Sequence, residues 1–189
     1  PRGGGPYIDG ADGLAAPIHN MANTPIESIE ADQPLLVEQF GLVADTGGAG
    51  KYRGGLGIVR QFRVLAEEAT FQLRSDRTDF LPWGAEGGKP GTPTKNYLNP
   101  DTENRELPGK HLMTLKKGDV YRLIQAGAGG YGDPLDRDAA AVLEDVRQEK
   151  LTVDHVRREY GVVVSPDKLE LDQEATEELR AKMRAGETD

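Results

Sequence analysis

The stretch Asp45-Thr46-Gly47-Gly48-Ala49-Gly50-Lys51-Tyr52-Arg53-Gly54-Gly55-Leu56-Gly57 decides how the rest of this chain is read. Six of its thirteen residues are glycine, which is too many for a stable helix or strand. A run this dense predicts a specially shaped loop, because glycine reaches backbone angles closed to other residues. Glycine also lets a ligand or a second backbone come close.

Two interpretations of this glycine loop are open. In the first, free backbone amides together with Lys51 and Arg53 form an anion-binding or substrate-shaping loop for a carboxylate or a phosphate. In the second, the loop is a tight corner between strands, where Asp45 caps backbone amides and Arg53 is tied to a neighbouring carboxylate. The composition of the loop is compatible with both.

A nucleotide-binding P-loop is excluded by its spacing rules. Such a loop needs a glycine five positions before its Gly-Lys pair and a hydroxyl residue after the lysine. Around Gly50-Lys51 these positions hold Asp45 and Tyr52. A second run, from Gly127 to Gly132, matches G-x-G-x-x-G, but Asp133-Pro134 interrupts it before any helix. We therefore expect no dinucleotide-binding fold.

Composition limits the classes of protein to be considered. The 189 residues include 24 glycines, 12 prolines and 37% hydrophobic residues, which predicts a loop-rich structure with a modest core. The net charge of -9 argues against binding to nucleic acid or to an anionic membrane surface. The absence of cysteine excludes disulfides and thiolate chemistry and fits a cytoplasmic protein, and no apolar run reaches transmembrane length.

Apolar alternation predicts antiparallel β structure in the first two thirds of the chain. The predicted strands are 34–44, 58–65, 69–75, 111–115 and 119–124, with a hairpin joining the second and third. A short helix is predicted over 25–31, because proline followed by an acidic residue suits a first turn. Residues 76–110 lack periodicity and are predicted to be a long loop.

The composition of the chain changes at Asp133, after which few glycines occur. Helical periodicity and capping residues predict helices near 139–147, 153–159 and 173–185, with a short strand at 162–164. We therefore predict an α+β fold with two parts. Residues 1–132 form an antiparallel, β-rich and loop-rich domain, and residues 133–189 form a small helical segment.

Few side chains are candidates for chemistry. His19, beside Asn20 and Asn23 in the loop-rich opening, is the best candidate for a ligand or general base, although a lone histidine is more often a surface or structural residue. No H-E-x-x-H or H-x-H metal spacing and no G-x-S-x-G nucleophile motif occurs. We therefore assign no metal site to this chain.

Five longer motifs stand in a fixed order: 23–30, 45–57, 82–91, 129–135 and 160–163. In this order the chain resembles the C-terminal part of the subunits of the hydantoinase B/oxoprolinase family, over residues 1 to about 164. Because a complete B-type subunit is much longer and this chain begins at Pro1, we expect a fragment or one part of a split subunit.

The resemblance implies a role in an ATP-dependent cyclic amide hydrolase that acts on a hydantoin, 5-oxoproline or a lactam. The partners implied are the remainder of the B-type subunit and an A-type subunit that binds ATP, with ATP and a divalent metal bound elsewhere in the complex. Acetone and acetophenone carboxylases are built from similar subunits, and a non-catalytic assembly role is a further alternative. The predicted catalytic residues are His19, Asp45, Lys51 and Arg53, and the predicted substrate-binding residues are Asn23, Glu27, Gly47, Gly48 and Gly50.

Overall fold

A computed structural model describes residues 1–14 and 22–187. The helices are α1 (Ile26–Asp32), α2 (Ala139–Arg147), α3 (Val153–Tyr160) and α4 (Gln173–Ala185), with a 3-10 turn at Pro134–Asp136 before α2. The strands are β1 (Leu35–Leu42), β2 (Ile58–Val64), β3 (Glu68–Arg74), β4 (Lys95–Leu98), β5 (Arg105–Glu106), β6 (Lys110–Lys116), β7 (Val120–Ile124), β8 (Val164–Ser165) and β9 (Glu170–Leu171). This mixture of antiparallel sheets and a helical C-terminal part confirms the predicted α+β class.

Two antiparallel sheets enclose the core of the β part. The larger has the order β1-β2-β7-β4-β5, and β3 pairs with β6 in the smaller. Phe62, Phe71 and Tyr121 meet between the sheets, with ring centroids 4.6 to 6.5 Å apart. Val64 and Leu115 complete this core and are almost fully buried.

The predicted hairpin between β2 and β3 is wrong, although both strands exist. β2 pairs with β1 and β7, whereas β3 pairs with β6 along its whole length. The short connection at 65–67 therefore carries the chain from one sheet to the other. Apolar alternation predicts which residues face a core, but both arrangements bury the same faces, so alternation does not decide the pairing.

Residues 76–110 are not a continuous loop, because they contain β4 and β5. The pattern of β4 was hidden by Asn96, a polar residue at a buried position. The side chain of Asn96 accepts a hydrogen bond from the Tyr121 hydroxyl at 2.7 Å and donates one to Ser75 Oγ at 2.9 Å. A buried amide with its hydrogen bonds satisfied takes the place that an apolar residue usually holds.

Each of the three C-terminal helices begins at a capping side chain. Asp138, Thr152 and Asp172 accept hydrogen bonds from backbone amides in the first turns of α2, α3 and α4. Gly161 and Gly186 end α3 and α4 in the left-handed conformation. The short strand predicted at 162–164 begins later, since β8 starts at Val164.

The glycine-rich segments pack against one another through their backbones, and we call segments 1–12, 46–57, 84–91 and 127–132 the glycine bundle. Amides and carbonyls join them directly: the Gly48 amide donates to Ala128 at 2.8 Å, and the Lys89 amide donates to Ala49 at 2.7 Å. A Cβ atom on Gly54 would overlap the Ala128 carbonyl, although the Gly54 backbone is not left-handed. Glycine is needed here because a second backbone occupies the space of a side chain.

Candidate functional site

An ionic cluster lies where the glycine bundle meets α2, and it consists of Asp9, Asp12, Arg53, Arg137 and Asp145. We call it the buried ionic cluster because both arginines and Asp145 are buried, while Asp9 and Asp12 are partly exposed. Arg53 Nη1 lies 2.9 Å from Asp12 Oδ1. Arg137 contacts two carboxylates, with Nη1 at 2.6 Å from Asp9 Oδ1 and Nη2 at 2.7 Å from Asp145 Oδ2. Arg53 Nε lies 3.6 Å from the same Asp145 oxygen, so the two arginines share one carboxylate.

Three separate parts of the chain supply these groups. The two aspartates of the opening segment meet Arg53 from the glycine loop, while Arg137 precedes α2 and Asp145 lies on it. Asp9 also accepts the Arg53 backbone amide at 2.7 Å, and Asp12 accepts the Leu56 amide at 2.8 Å. The cluster therefore joins the β-rich part to the helical part across the predicted boundary at 132/133.

Burial makes the pairing of these charges important. The Arg53 and Arg137 side chains are 2% and 6% exposed, and that of Asp145 is 8% exposed. Burial by itself would raise the pKa of Asp9, but the hydrogen bonds and positive charge of Arg137 outweigh it and hold the pKa below its ordinary value. Asp12 behaves in the same way beside Arg53, which also lowers its pKa. Both carboxylates are therefore held in their charged form.

Arg53 has the contacts that the corner interpretation predicts. Its guanidinium donates to Asp12 and to the Gly54 carbonyl, at 2.9 and 2.8 Å, so the predicted tie to a neighbouring carboxylate is confirmed. A side chain that is only 2% exposed presents little surface to a substrate in this structure. A catalytic role of Arg53 remains a prediction.

Asp45 anchors the start of α3. Its carboxylate accepts the Thr152 amide at 2.8 Å and the Thr152 hydroxyl at 2.6 Å, so the predicted capping of a backbone amide is confirmed. The Asp45 backbone has a φ of 62°, a left-handed conformation that is uncommon for residues other than glycine. Asp45 Oδ1 also lies 3.8 Å from Nδ1 of His155, whose pKa is lowered by burial. A catalytic role of Asp45 remains a prediction.

The other predicted residues lie in three places. Gly47, Gly48 and Gly50 belong to the glycine bundle, where added Cβ atoms would overlap neighbouring backbone. Asn23 accepts a hydrogen bond from Arg60 at 2.9 Å, and Glu27 is exposed in the first turn of α1. Within 1–14 and 22–187, no hydrogen bond or ion pair links Asn23 or Glu27 to Asp45, Lys51 or Arg53. His19 lies outside the described residues.

Lys51 lies at the edge of the glycine loop with an exposed side chain. Its carbonyl accepts a hydrogen bond from Arg137 at 3.1 Å, which fixes the backbone beside the ionic cluster. The side chain lines an open pocket together with residues from the start of α2 and from α4. The Lys51 side chain therefore lies at an exposed surface, whereas the Arg53 side chain is buried in the ionic cluster.

Sequence reasoning missed Arg137 and Asp145, which complete the cluster. Asp145 carried one signal, because it lies on the helical face formed by Val142 and Val146, where a charged residue is unusual. Arg137, in the polar run before α2, carried no signal in its local sequence. Its role depends on Asp9, 128 residues away along the chain.

Neither a metal-binding cluster nor a membrane-spanning helix occurs in the described part of the chain. Residues 1–14 and 22–187 contain no group of three histidine, cysteine, aspartate or glutamate side chains placed to hold a metal ion. Within these two ranges the side chains therefore do not fit a metal centre. No helix in these ranges combines the length and apolar character needed to cross a membrane.

Comparison with known proteins identifies the class. The hydantoinase B/oxoprolinase family model matches residues 1–134, and this chain belongs to that family. Over 94% of its length it is 34% identical to a protein of Pseudomonas sp. (strain NS671) that is named as the B-type subunit of a D-/L-hydantoinase.

Two solved structures are similar as well. The crystal structure of the ATP-dependent caprolactamase from Pseudomonas jessenii is 31% identical over 83% of this chain, with a TM-score of 0.72. A nucleotide-free structure of acetone carboxylase matches 95% of the chain with a TM-score of 0.73, but at 24% identity this likeness shows the fold alone. The chain spans only 28 to 30% of the length of each of these relatives.

Proposed function

We propose that this chain is the C-terminal portion of a B-type subunit in an ATP-dependent hydrolase that opens a cyclic amide. The observation that carries the proposal is the similarity to the ATP-dependent caprolactamase, in sequence as well as fold. The proposed substrates are a hydantoin, 5-oxoproline or a lactam. We also propose that the protein is cytoplasmic and that it acts with an A-type subunit that binds ATP.

An amide carbonyl resists attack by water, which is why such a reaction needs ATP. ATP would phosphorylate the amide oxygen, with ADP leaving, and water would then add to the activated carbon. The C–N bond breaks as the nitrogen takes up a proton, which opens the ring and leaves an acyl phosphate. A second water molecule hydrolyses the acyl phosphate to a carboxylate and phosphate. We assign ATP binding to the partner. The residues of this chain would contribute a rigid wall, because the glycine bundle and the ionic cluster hold its loops in one arrangement.

Assays on the complete B-type subunit with its partner would test this function. We expect ATP hydrolysis that depends on a cyclic amide, measured with a hydantoin, 5-oxoproline and a lactam in turn. A carboxylase with the same fold is the second candidate, supported by the acetone carboxylase likeness. It predicts ATP turnover with a ketone and bicarbonate instead, and that result would refute the hydrolase proposal.

An assembly role is favoured by one specific observation, the burial of Arg53 between Asp12 and Asp145. Arg53→Ala separates the two roles. If Arg53 acts on the substrate, turnover falls at least about tenfold, or roughly 1.4 kcal/mol, while the complex still assembles. Unchanged turnover, or loss of assembly, would assign Arg53 to the scaffold. Arg157→Ala, at an exposed arginine on α3, is the matched control and should change neither.

A further inference from the structure

An open pocket of 580 Å³ lies between the glycine loop, the start of α2 and the side of α4. Four basic residues line it, together with two acidic ones: Lys51, Arg137, Arg180 and Arg184, with Asp136 and Asp138. Arg137 is already paired with Asp9 and Asp145, and Arg184 with Asp136, so the surplus of positive charge comes from Lys51 and Arg180. This surplus makes the pocket a candidate for a negatively charged ligand.

Two of these cations lack a carboxylate partner in the described part of the chain. Arg180 Nε donates to the Tyr160 carbonyl at 3.0 Å and Nη2 donates to the Arg137 carbonyl at 2.7 Å, so its planar group is held in place by neutral acceptors. No carboxylate oxygen of residues 1–14 or 22–187 lies within 4.0 Å of Arg180 or Lys51. The Nη1 atom of Arg180 remains available to a further acceptor.

The carboxylates that line the pocket already have partners. Asp136 lies 2.9 Å from Arg184 Nη2, and Asp138 accepts the Ala140 amide at 3.0 Å as the N-cap of α2. Burial and then the nearby charge of Arg184 lower the pKa of Arg180, and the charges of Asp136, Asp138 and Asp133 offset this lowering only in part. The start of α2, where Ala139 and Ala140 line the pocket, adds the positive end of a helix dipole.

We propose that this pocket binds an oxyanion, a phosphate or a carboxylate, through Arg180 and Lys51, with Arg184 at its rim. A fixed guanidinium group matches the geometry of both anions. Lys51 lines the same pocket and supplies a second positive charge. This site borders the buried ionic cluster at Arg137, and it does not depend on the proposed hydrolase function.

Calorimetric titration of the complete subunit with inorganic phosphate and with acetate, at constant ionic strength in chloride, tests the proposal. We expect saturable binding of at least one anion, and the stronger of the two identifies the ligand class. Arg180→Gln should weaken binding about tenfold and Lys51→Gln about fivefold, since each removes a charge-assisted contact. Lys168→Gln, at an exposed lysine outside the pocket, should leave binding unchanged.

Two outcomes would overturn the proposal: no saturable binding of either anion, or equal binding by the unaltered protein and Lys51→Gln. Arg180 also donates hydrogen bonds to the carbonyls of Tyr160 and Arg137, so Arg180→Gln can lower the stability of the fold. The Lys51 side chain makes no hydrogen bond to any described residue, and Lys51→Gln therefore decides the result in that case. The titration contains neither ATP nor cyclic amide, so its failure is distinguishable from failure of the hydrolase proposal.

Discussion

Replacement of Gly50 by alanine tests whether the glycine bundle depends on direct contact between backbones. An added Cβ atom at this position would lie 2.7 Å from the Tyr131 amide nitrogen, 2.8 Å from the Tyr131 carbonyl oxygen and 2.9 Å from the Tyr52 carbonyl oxygen. Three backbone atoms at such distances cannot be avoided by rotating a side chain. The two strands of backbone must therefore move apart.

The contact that would be lost defines the size of the effect. Tyr52 and Tyr131 exchange two backbone hydrogen bonds of 2.9 Å each, and the three crowded atoms belong to this exchange. Loss of two hydrogen bonds in a half-buried position, with their groups left poorly satisfied, costs about 2 to 3 kcal/mol. For a protein of this size we expect the melting temperature to fall by roughly 5 to 10 °C.

Gly41→Ala is the matched control, because no atom lies within 4 Å of the position of its Cβ and its backbone is not left-handed. This change should alter the unfolding free energy by less than about 0.5 kcal/mol. Both variants would be compared with the unaltered protein by thermal unfolding followed with circular dichroism. Equal melting temperatures for Gly50→Ala and Gly41→Ala would refute the explanation given for the glycine bundle.

Three further predictions concern the charges. Arg137→Met leaves two carboxylates of the ionic cluster without their main partner and should cost about 3 to 5 kcal/mol, whereas Lys117→Met, at an exposed ion pair, should cost less than about 1 kcal/mol in urea unfolding. The pKa of Asp12 is lowered in the folded state, so its charged carboxylate stabilises the fold above the ordinary pKa of 3.8. This stabilisation is lost as the pH falls through the folded pKa, and Asp12→Asn should therefore make the free energy of unfolding less dependent on pH in that range. Burial lowers the pKa of His155, so stability present above pH 6.5 should fall on acidification, and His155→Gln should abolish that fall in pH-dependent melting curves.

Local features of the fold were predictable because their causes are local. A helix cap such as Thr152 acts on an amide three residues away, at 3.2 Å, and alternation along a strand records which side chains face a core. Pairing of β3 with β6 joins residues 36 to 48 positions apart and leaves no mark in either strand alone. The buried strand β4 was missed because Asn96, a polar residue, satisfies its hydrogen bonds inside the core.

The sequence by itself determined the glycine loop, the helical tail and the family, because each depends on residue types and order along the chain. Only the tertiary structure decided what the loop approaches and what Arg53 binds. The Gly54 backbone meets Ala128, and the guanidinium of Arg53 meets Asp12 and, through Asp145, a helix beyond the loop. Such contacts depend on where distant segments meet in space. A charged residue or a glycine at one position does not specify which distant residue it will contact.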